Sequence, residues 1–230
     1  METSTKNWTV ISLGGSLICP DRVDADYVRE FVALIKKEIE KGGHFAIITG
    51  GGRVAREYRD ALLGTGESDP DMLDWMGIAA TRYNAELLRL AFGALAESAI
   101  FMDPNTPTLT GKSVLVGGGY TPGHSSDGSA VALAKALGAT KLVNLSNIDY
   151  VYTADPRKDP TATPIKTSNW TDFRKLLPES WDPGLNAPFD PVAARMAEEM
   201  GLEVAVMNGK NIENLGAYIE GREFIGTVIA

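Results

Sequence analysis

Residues 45–63 read FAIITGGGRVAREYRDALL, a short apolar run from Phe45 to Thr49, three consecutive glycines, and then a helix-forming run from Arg53 to Leu63. The same order stands upstream. Trp8 to Leu13 is apolar and β-rich and breaks at Gly14-Gly15-Ser16. After a polar loop, Tyr27 to Lys41 places Val28, Phe31, Ile35 and Ile39 three and four residues apart, which is helical spacing, and Gly42-Gly43 stops it. Parallel strands cannot be joined by a tight turn and need a helix-length crossover. A strand, a glycine loop and a helix, repeated, therefore predicts a mostly parallel sheet with helices on its faces.

The rest of the chain continues the alternation. Asp71 to Leu95 is long enough for two or more helical segments. Ser98 to Met102 and Ser113 to Val116 read as short strands around the Pro/Thr-rich stretch 103–111, and Gly117-Gly118-Gly119 follows the second. Ser126 to Leu137 reads as a helix capped by Ser125 or Ser126 and closed by Gly138. Lys141 to Leu145 is a buried-type strand, Pro156 to Pro164 a polar loop, and Asp172 to Leu177 a short helix. Asp190-Pro191 pairs an N-cap acid with a proline at the first helical position, so a helix over Val192 to Met200 is expected, ending at Gly201. Val204 to Met207 is a strand, Ile212 to Ile219 a helix, and Thr227 to Ile229 a last edge strand. No internal repeat and no Pro-, Gly- or Ser-rich linker divides the chain. The expectation is one α/β domain over 1–230, a three-layer αβα sandwich around a mostly parallel sheet.

Composition narrows the function classes. The 230 residues carry 22 Lys+Arg against 30 Asp+Glu, a net charge of −8. That balance argues against binding nucleic acid or an anionic membrane, both of which rest on a basic surface. It leaves room for a small phosphorylated ligand held by a few local cations and backbone N–H groups. A single cysteine, Cys19, and two histidines, His44 and His124, exclude a disulfide framework or a Cys/His zinc cluster and leave hard cations with oxygen ligands. No apolar run reaches the ~18 residues of a membrane span, and the opening METSTKNW has no apolar segment to serve as a signal. The expected compartment is the cytoplasm.

Three glycine clusters follow predicted strands: Gly14-Gly15-Ser16, Gly50-Gly51-Gly52 and Gly117-Gly118-Gly119. At the carboxyl end of parallel strands, glycine lets backbone N–H groups approach an anion, and the next helix adds its N-terminal dipole. One such cluster is ordinary turn punctuation. Three at equivalent places point to a phosphate site, although neither G-x-x-x-x-G-K-[ST] nor G-x-G-x-x-G is present.

The stretch Asn147-Ile-Asp149-Tyr150-Val151-Tyr152-Thr-Ala-Asp155-Pro156 resembles the N-x-D-G-V-Y-x-x-D-P signature of the amino acid kinase superfamily, with Tyr150 in the place of the usual glycine. Further segments extend the resemblance over nearly the whole chain. Gly14-Gly15-Ser16 is similar to the first phosphate loop, and Gly50 to Gly52 with Ala55-Arg56 to G-G-G-x-x-A-R. Asp74, Gly77-Ile78, Thr81-Arg82 and Asn84-Ala85 are similar to the D-x-x-G-I-x-x-T-R-x-N-A helix. Gly118-Gly119, Pro122-Gly123 and Ser126-Asp127 follow G-G-x-x-P-G-x-[ST]-[ST]-D, and Asp190 to Ala194 follow D-P-[LV]-A-A. The set resembles the archaeal-type UMP kinases more than the carbamate, acetylglutamate or aspartate kinases of the same fold.

That resemblance implies magnesium- and ATP-dependent phosphorylation of UMP to UDP in pyrimidine nucleotide synthesis, on a chain that assembles as a homo-oligomer, commonly a hexamer. It implies an acceptor half over about 1–130 and an ATP half over about 131–230. Gly14, Gly15 and Ser16 would offer N–H groups to the transferring phosphate, with Asp127 and Arg195 as further catalytic groups. ATP would lie on Gly15, Asn147, Asp149, Tyr152, Asp155, Pro156 and Lys158. UMP would lie on Gly51, Gly52, Arg56, Asp74, Gly119 and Ser126, with Arg56 on the phosphate, Arg53 as a second candidate and Asp74 on the ribose hydroxyls. Useful positive charge would then be confined to Arg53, Arg56, Arg82, Lys158 and Arg195. Ser12 stands where many members carry a lysine, and Arg195 where another is usual. Tyr150 makes any φ > 0 backbone costly at its position. Two other readings are a nucleotide- or oxyanion-binding storage protein on the same fold, and a kinase of another small acceptor.

Overall fold

The repeated strand–glycine–helix runs fold as their periodicity demands in the computed structural model, which describes residues 7–179 and 187–230. In chain order the elements are β1 (Trp8–Leu13), α1 (Gly15–Ile18), α2 (Ala25–Glu40), β2 (His44–Thr49), α3 (Gly52–Gly64) and α4 (Pro70–Phe92). There follow β3 (Val114–Gly117), α5 (Ser126–Leu137), β4 (Lys141–Ser146), β5 (Val151–Tyr152), β6 (Pro164–Ile165), β7 (Thr167–Ser168) and α6 (Trp170–Arg174). The last are α7 (Pro191–Met200), β8 (Glu203–Asn208), α8 (Ile212–Ile219) and β9 (Thr227–Ile229).

Seven strands form one sheet in the order β3-β2-β1-β4-β8-β9-β7. β1 lies between β2 and β4 and runs parallel to both, Leu13 meeting Thr49 on one side and Leu145 on the other. Only β9 runs against its neighbour β8. Side chains alternate between two packed faces. Val10, Ala46, Ile48, Leu142 and Val204 join Val131 of α5 and Ala197 of α7 in one cluster. Ile11, Ile47, Val143 and Ala205 join Phe31 of α2, Leu88 of α4 and Leu215 of α8 in the other. With both faces covered, the strands read as continuous apolar runs. Three layers result, as the sequence pattern predicts.

Four expectations need correction. The segment after residue 70 is one 23-residue helix, not two or more. Asp69 caps it by accepting from Asp71 N–H at 2.9 Å, Pro70 occupies the first turn, and Gly93 at φ 62° closes it before a 3-10 turn over Gly93–Leu95. Ser98 to Met102 is not a strand. The chain meets β3 there only at the isolated pairs Ala96–Val114 and Phe101–Gly117, because it touches the edge at two points without keeping register. Thr227–Ile229 is not an edge strand, since β7 pairs with its outer side. The short helix starts at Trp170, two residues earlier than expected, because Asn169 caps it by accepting from Asp172 N–H.

Candidate active site

The carboxyl ends of β1 and β2 turn on glycines pressed backbone to backbone. Gly14 N–H bonds to Leu145 C=O at 2.9 Å, and Gly50 N–H to Leu13 C=O at 2.8 Å. A Cβ on Gly15 would stand 2.1 Å from Gly52 N and 2.4 Å from Gly50 C, both main-chain atoms. Gly52 adopts φ 64°, where other L-residues are strained, and a Cβ there would reach 2.3 Å from Gly15 O. The two loops thus interlock, and glycine is the only residue that fits the contact.

Helix α4 holds these loops in place. Asn84 is buried and donates to Gly50 C=O at 2.8 Å and Gly51 C=O at 3.3 Å. Thr81 Oγ1 accepts from Gly119 N–H at 2.6 Å, and its backbone carbonyl accepts from Thr49 Oγ1 at 2.7 Å. Arg82 donates to the carbonyls of Gly119 and Tyr120 at 3.2 and 2.8 Å and lies 5.8 Å from the Trp75 ring centroid. Burial pushes the Arg82 guanidinium below its ordinary range. Asp74 Oδ2 accepts from Gly123 N–H at 2.8 Å. Asp74, Thr81, Arg82 and Asn84 recur along one helix at helical spacings, and each grips a glycine loop.

A cavity of about 290 Å³ opens between these parts. Gly50, Gly51 and Ala55 form one wall, Asp74, Gly77, Ile78 and Thr81 another. Gly119, His124, Ser125 and Ser126 close the third side, and Arg59 also reaches in. Two carboxylates, Asp127 and Asp190, line it together with Ala187. Asp127 sits in the first turn of α5. Its Oδ1 accepts from Ser12 Oγ at 2.9 Å and from Asn144 Nδ2 at 3.4 Å, and its Oδ2 from Asp190 N–H at 3.2 Å. Asp190 caps α7, accepting from Val192 and Ala193 N–H at 2.6 and 2.8 Å. Burial raises the Asp127 carboxyl to about 6; the Asp190 charge adds to the rise, while the Ser12 and Asp190 N–H bonds oppose it. With serine at position 12, no lysine offsets Asp127 from that position.

The segment after β4 lies apart from this cavity. Asp149 accepts from Asn208 Nδ2 at 2.8 Å. The Asp155 carboxylate is held below its ordinary range, first by hydrogen bonds from Arg157, whose guanidinium pairs with it at 3.0 Å. Tyr152 is half-buried and pairs with Pro164 in the small β5–β6 sheet, while Asn147, Pro156 and Lys158 are exposed. No described non-glycine residue has φ > 0, so Tyr150 takes an ordinary backbone conformation. Its side chain lines a separate cavity of about 780 Å³ with Lys166, Arg222 and Phe224.

Of the acceptor residues expected from sequence, Gly51, Asp74, Gly119 and Ser126 line the 290 Å³ cavity, whereas Gly52 and the exposed Arg56 do not. Asp127 lines it; Gly14, Gly15, Ser16 and Arg195 do not. Arg195 is on the solvent side of α7, whose Ala193, Ala194 and Ala197 face the core. Two expected phosphate cations are otherwise engaged. Arg82 serves carbonyls, and Arg53 pairs with Glu57 and Asp21 at 2.7 and 3.1 Å. Sequence reasoning missed Arg59, His124 and Asp190. A signal for Arg59 was present, because Arg53, Arg56 and Arg59 recur every third residue on α3.

Comparison with known proteins gives the family and the fold. Residues 7–208 match the Amino acid kinase family. The uridylate kinase of Methanospirillum hungatei is 35% identical over 225 residues, covering 96% of this chain and 93% of that protein. The one from Halorubrum lacusprofundi is 36% identical over 207 residues, covering 89% and 85%. The crystal structure of uridylate kinase from Archaeoglobus fulgidus superposes with a TM-score of 0.84 at 31% identity, covering 96% of this chain and 99% of that one. A UMP kinase from Bacillus anthracis shares the fold, with a TM-score of 0.77 at 19% identity. With the family's pattern running from the start of β1 to the end of β8, this chain belongs to the amino acid kinase family.

Proposed function

We propose that this chain is a UMP kinase that transfers the γ-phosphoryl group of ATP to UMP, giving UDP and ADP. The observation that carries the reading is the cavity at the strand ends, walled by glycine loops, opened by the N-terminus of α5 and bearing Asp74, in a chain whose full-length relatives are uridylate kinases. A UMP phosphate oxygen attacks the γ-phosphorus, and the bond to the β,γ-bridging oxygen breaks. Such a transfer needs positioning and charge stabilisation more than covalent help. The backbone N–H groups of the loops and the α5 dipole meet phosphate. Asp74 is an acceptor suited to ribose hydroxyls, and the ATP would approach from Gly14 to Ser16 and the 147–158 segment.

Among the described residues no group of three or more His, Cys, Asp or Glu side chains forms a cage for a metal. The Asp127 and Asp190 oxygens are largely committed to the bonds given above. This oxygen-only pair fits a magnesium ion carried mainly by phosphate oxygens and water, with Asp127 beside it. When bound, the ion would neutralise charge on the transferring group.

A coupled assay of ADP release tests the reading: UMP is expected to be the preferred acceptor among nucleoside monophosphates. Absence of turnover with every one of them would refute it.

We also infer that the chain works as a homo-oligomer. Tyr83 and Leu90 are 80% and 62% exposed on α4, which also exposes Trp75 and Met72, while α3, packed against it, exposes Tyr58 and Leu63, an apolar display that a second copy would cover. Sedimentation velocity should give a species of at least two chains; a monomer at micromolar concentration would contradict it. No described helix is long and apolar enough to cross a membrane.

A further inference from the structure

The 290 Å³ cavity carries a cation that the reading above leaves without a task. Arg59 lies on α3 seven residues past Gly52, about 10 Å along the axis from the glycine loop at 1.5 Å per residue. It is half-buried and lines the cavity together with Asp74 and His124. Its two neighbours in the every-third-residue series differ from it. Arg53 is held by Glu57 and Asp21, and Arg56 stands outside the cavity. No hydrogen bond or ion pair joins Arg59 to another described residue, Asp74 included, so the donors of this cavity-lining residue are unspent. His124 is fixed on the same side by Thr121 Oγ1 at 3.1 Å and by edge contact with the Tyr120 ring, with centroids 5.7 Å apart.

Resting on the assignment of this cavity to a nucleoside monophosphate, we propose that Arg59 reads the base of the acceptor and selects a pyrimidine with a 4-oxo edge over one with a 4-amino edge. The order of chemistry along the cavity leads to this. Backbone N–H groups of the glycine loops, about 10 Å from Arg59 along the α3 axis by helix rise, and the α5 N-terminus would take the phosphate. Asp74 accepts hydrogen bonds and takes the ribose hydroxyls. A guanidinium donates only and therefore needs acceptors. Beyond the ribose the acceptors are on the base, O2 and O4 on uracil but O2 and N3 on cytosine, so a guanidinium at the 4-position meets an acceptor on uracil alone. Uracil presents an oxygen at C4 where cytosine presents an amino group, so cytosine would set donor against donor. Discrimination by a partially enclosed charged hydrogen bond is large because the wrong ligand leaves that donor unpaired. Arg59 in this role touches substrate but takes no part in bond making.

Arg59→Met, which keeps an unbranched apolar stem, and Arg59→Lys, which keeps the charge without the fork, test the assignment. Equilibrium titration of UMP and CMP against each protein, alongside kcat/KM for both acceptors, gives two independent readouts. Arg59→Met is expected to weaken UMP about 10- to 100-fold with CMP changed by less than about 3-fold, and Arg59→Lys to restore part of the preference. Equal loss for both nucleotides would assign Arg59 to the phosphate and overturn the proposal, as would an unchanged UMP/CMP ratio. Wild-type protein that prefers UMP in titration, loses that preference on Arg59→Met and yet transfers no phosphate would uphold the base contact and refute the kinase reading. Turnover of UMP with preference intact in the variant would do the reverse. Wild-type protein that binds neither nucleotide would refute both.

Discussion

Replacing Asp127 by asparagine is expected to lower kcat by about 100-fold or more while leaving the fold intact, the magnitude typical of removing one preorganised group from a polar site. Asp127 draws together β1 through Ser12, β4 through Asn144 and α7 through the Asp190 N–H, so three elements of the fold meet at its carboxylate. Its charge state should appear in the pH profile. The folded carboxyl is raised to about 6 from 3.8, chiefly by burial, so the native state binds more protons than the unfolded chain between those values. Stability therefore falls as pH rises from about 4 to about 6, and the cost of the ionised form is complete above that window. Asp127→Asn should remove that slope and hold or raise stability at pH 7.5, by about 1–3 kcal/mol at most. In the same variant the acid limb of kcat/KM near pH 6 should vanish. Urea denaturation at several pH values and a pH–rate profile measure both. A variant with wild-type kcat, or one that unfolds at neutral pH, would show that Asp127 has been misplaced in this account.

The second large effect is expected at Gly15. Gly15→Ala should cost about 3 kcal/mol or more and abolish activity, because the new methyl would meet main-chain atoms of Gly50 and Gly52 that have no side-chain torsion by which to yield. The loops would have to part, and the backbone N–H groups at the strand ends would lose their arrangement. Gly64→Ala is the control. It lies in the last turn of α3 with nothing within 4 Å of the added carbon and φ outside the left-handed region, so it should stabilise by about 0.5–1 kcal/mol. Urea midpoints of the two variants should move in opposite directions, and equal shifts would refute the interlock.

The layers and the parallel order were legible because strands covered on both faces must be apolar throughout and helices covered on one face must be periodic. Caps were legible where they were sought. Asp190-Pro191 marked the start of α7, and Asp69-Pro70 carried the same signal for α4, where length alone prompted a division into segments. Two-residue strands such as β7 have no periodicity to read, and β7 is what turned β9 from an edge into an interior strand. At the site, residue types were easier to find than tasks. Arg82 has the charge of a phosphate ligand, yet its donors end on carbonyls, which depends on how closely α4 approaches the third glycine loop. Arg56 and Arg59 are one helical turn apart, and only the rotation of α3 against α4 decides that the second enters the cavity. Tyr150 resolves in the same way, since its place in a second cavity follows from the packing of β5 beside β9.

The central claim is phosphoryl transfer between two nucleotides at the strand ends. Its most direct test is incubation with UMP and ATP labelled in the γ-phosphate, followed by separation of the products. The account predicts label in the β-phosphate of UDP, formed in step with ADP. Label that stays in ATP or appears only as inorganic phosphate, while both nucleotides bind, would contradict it.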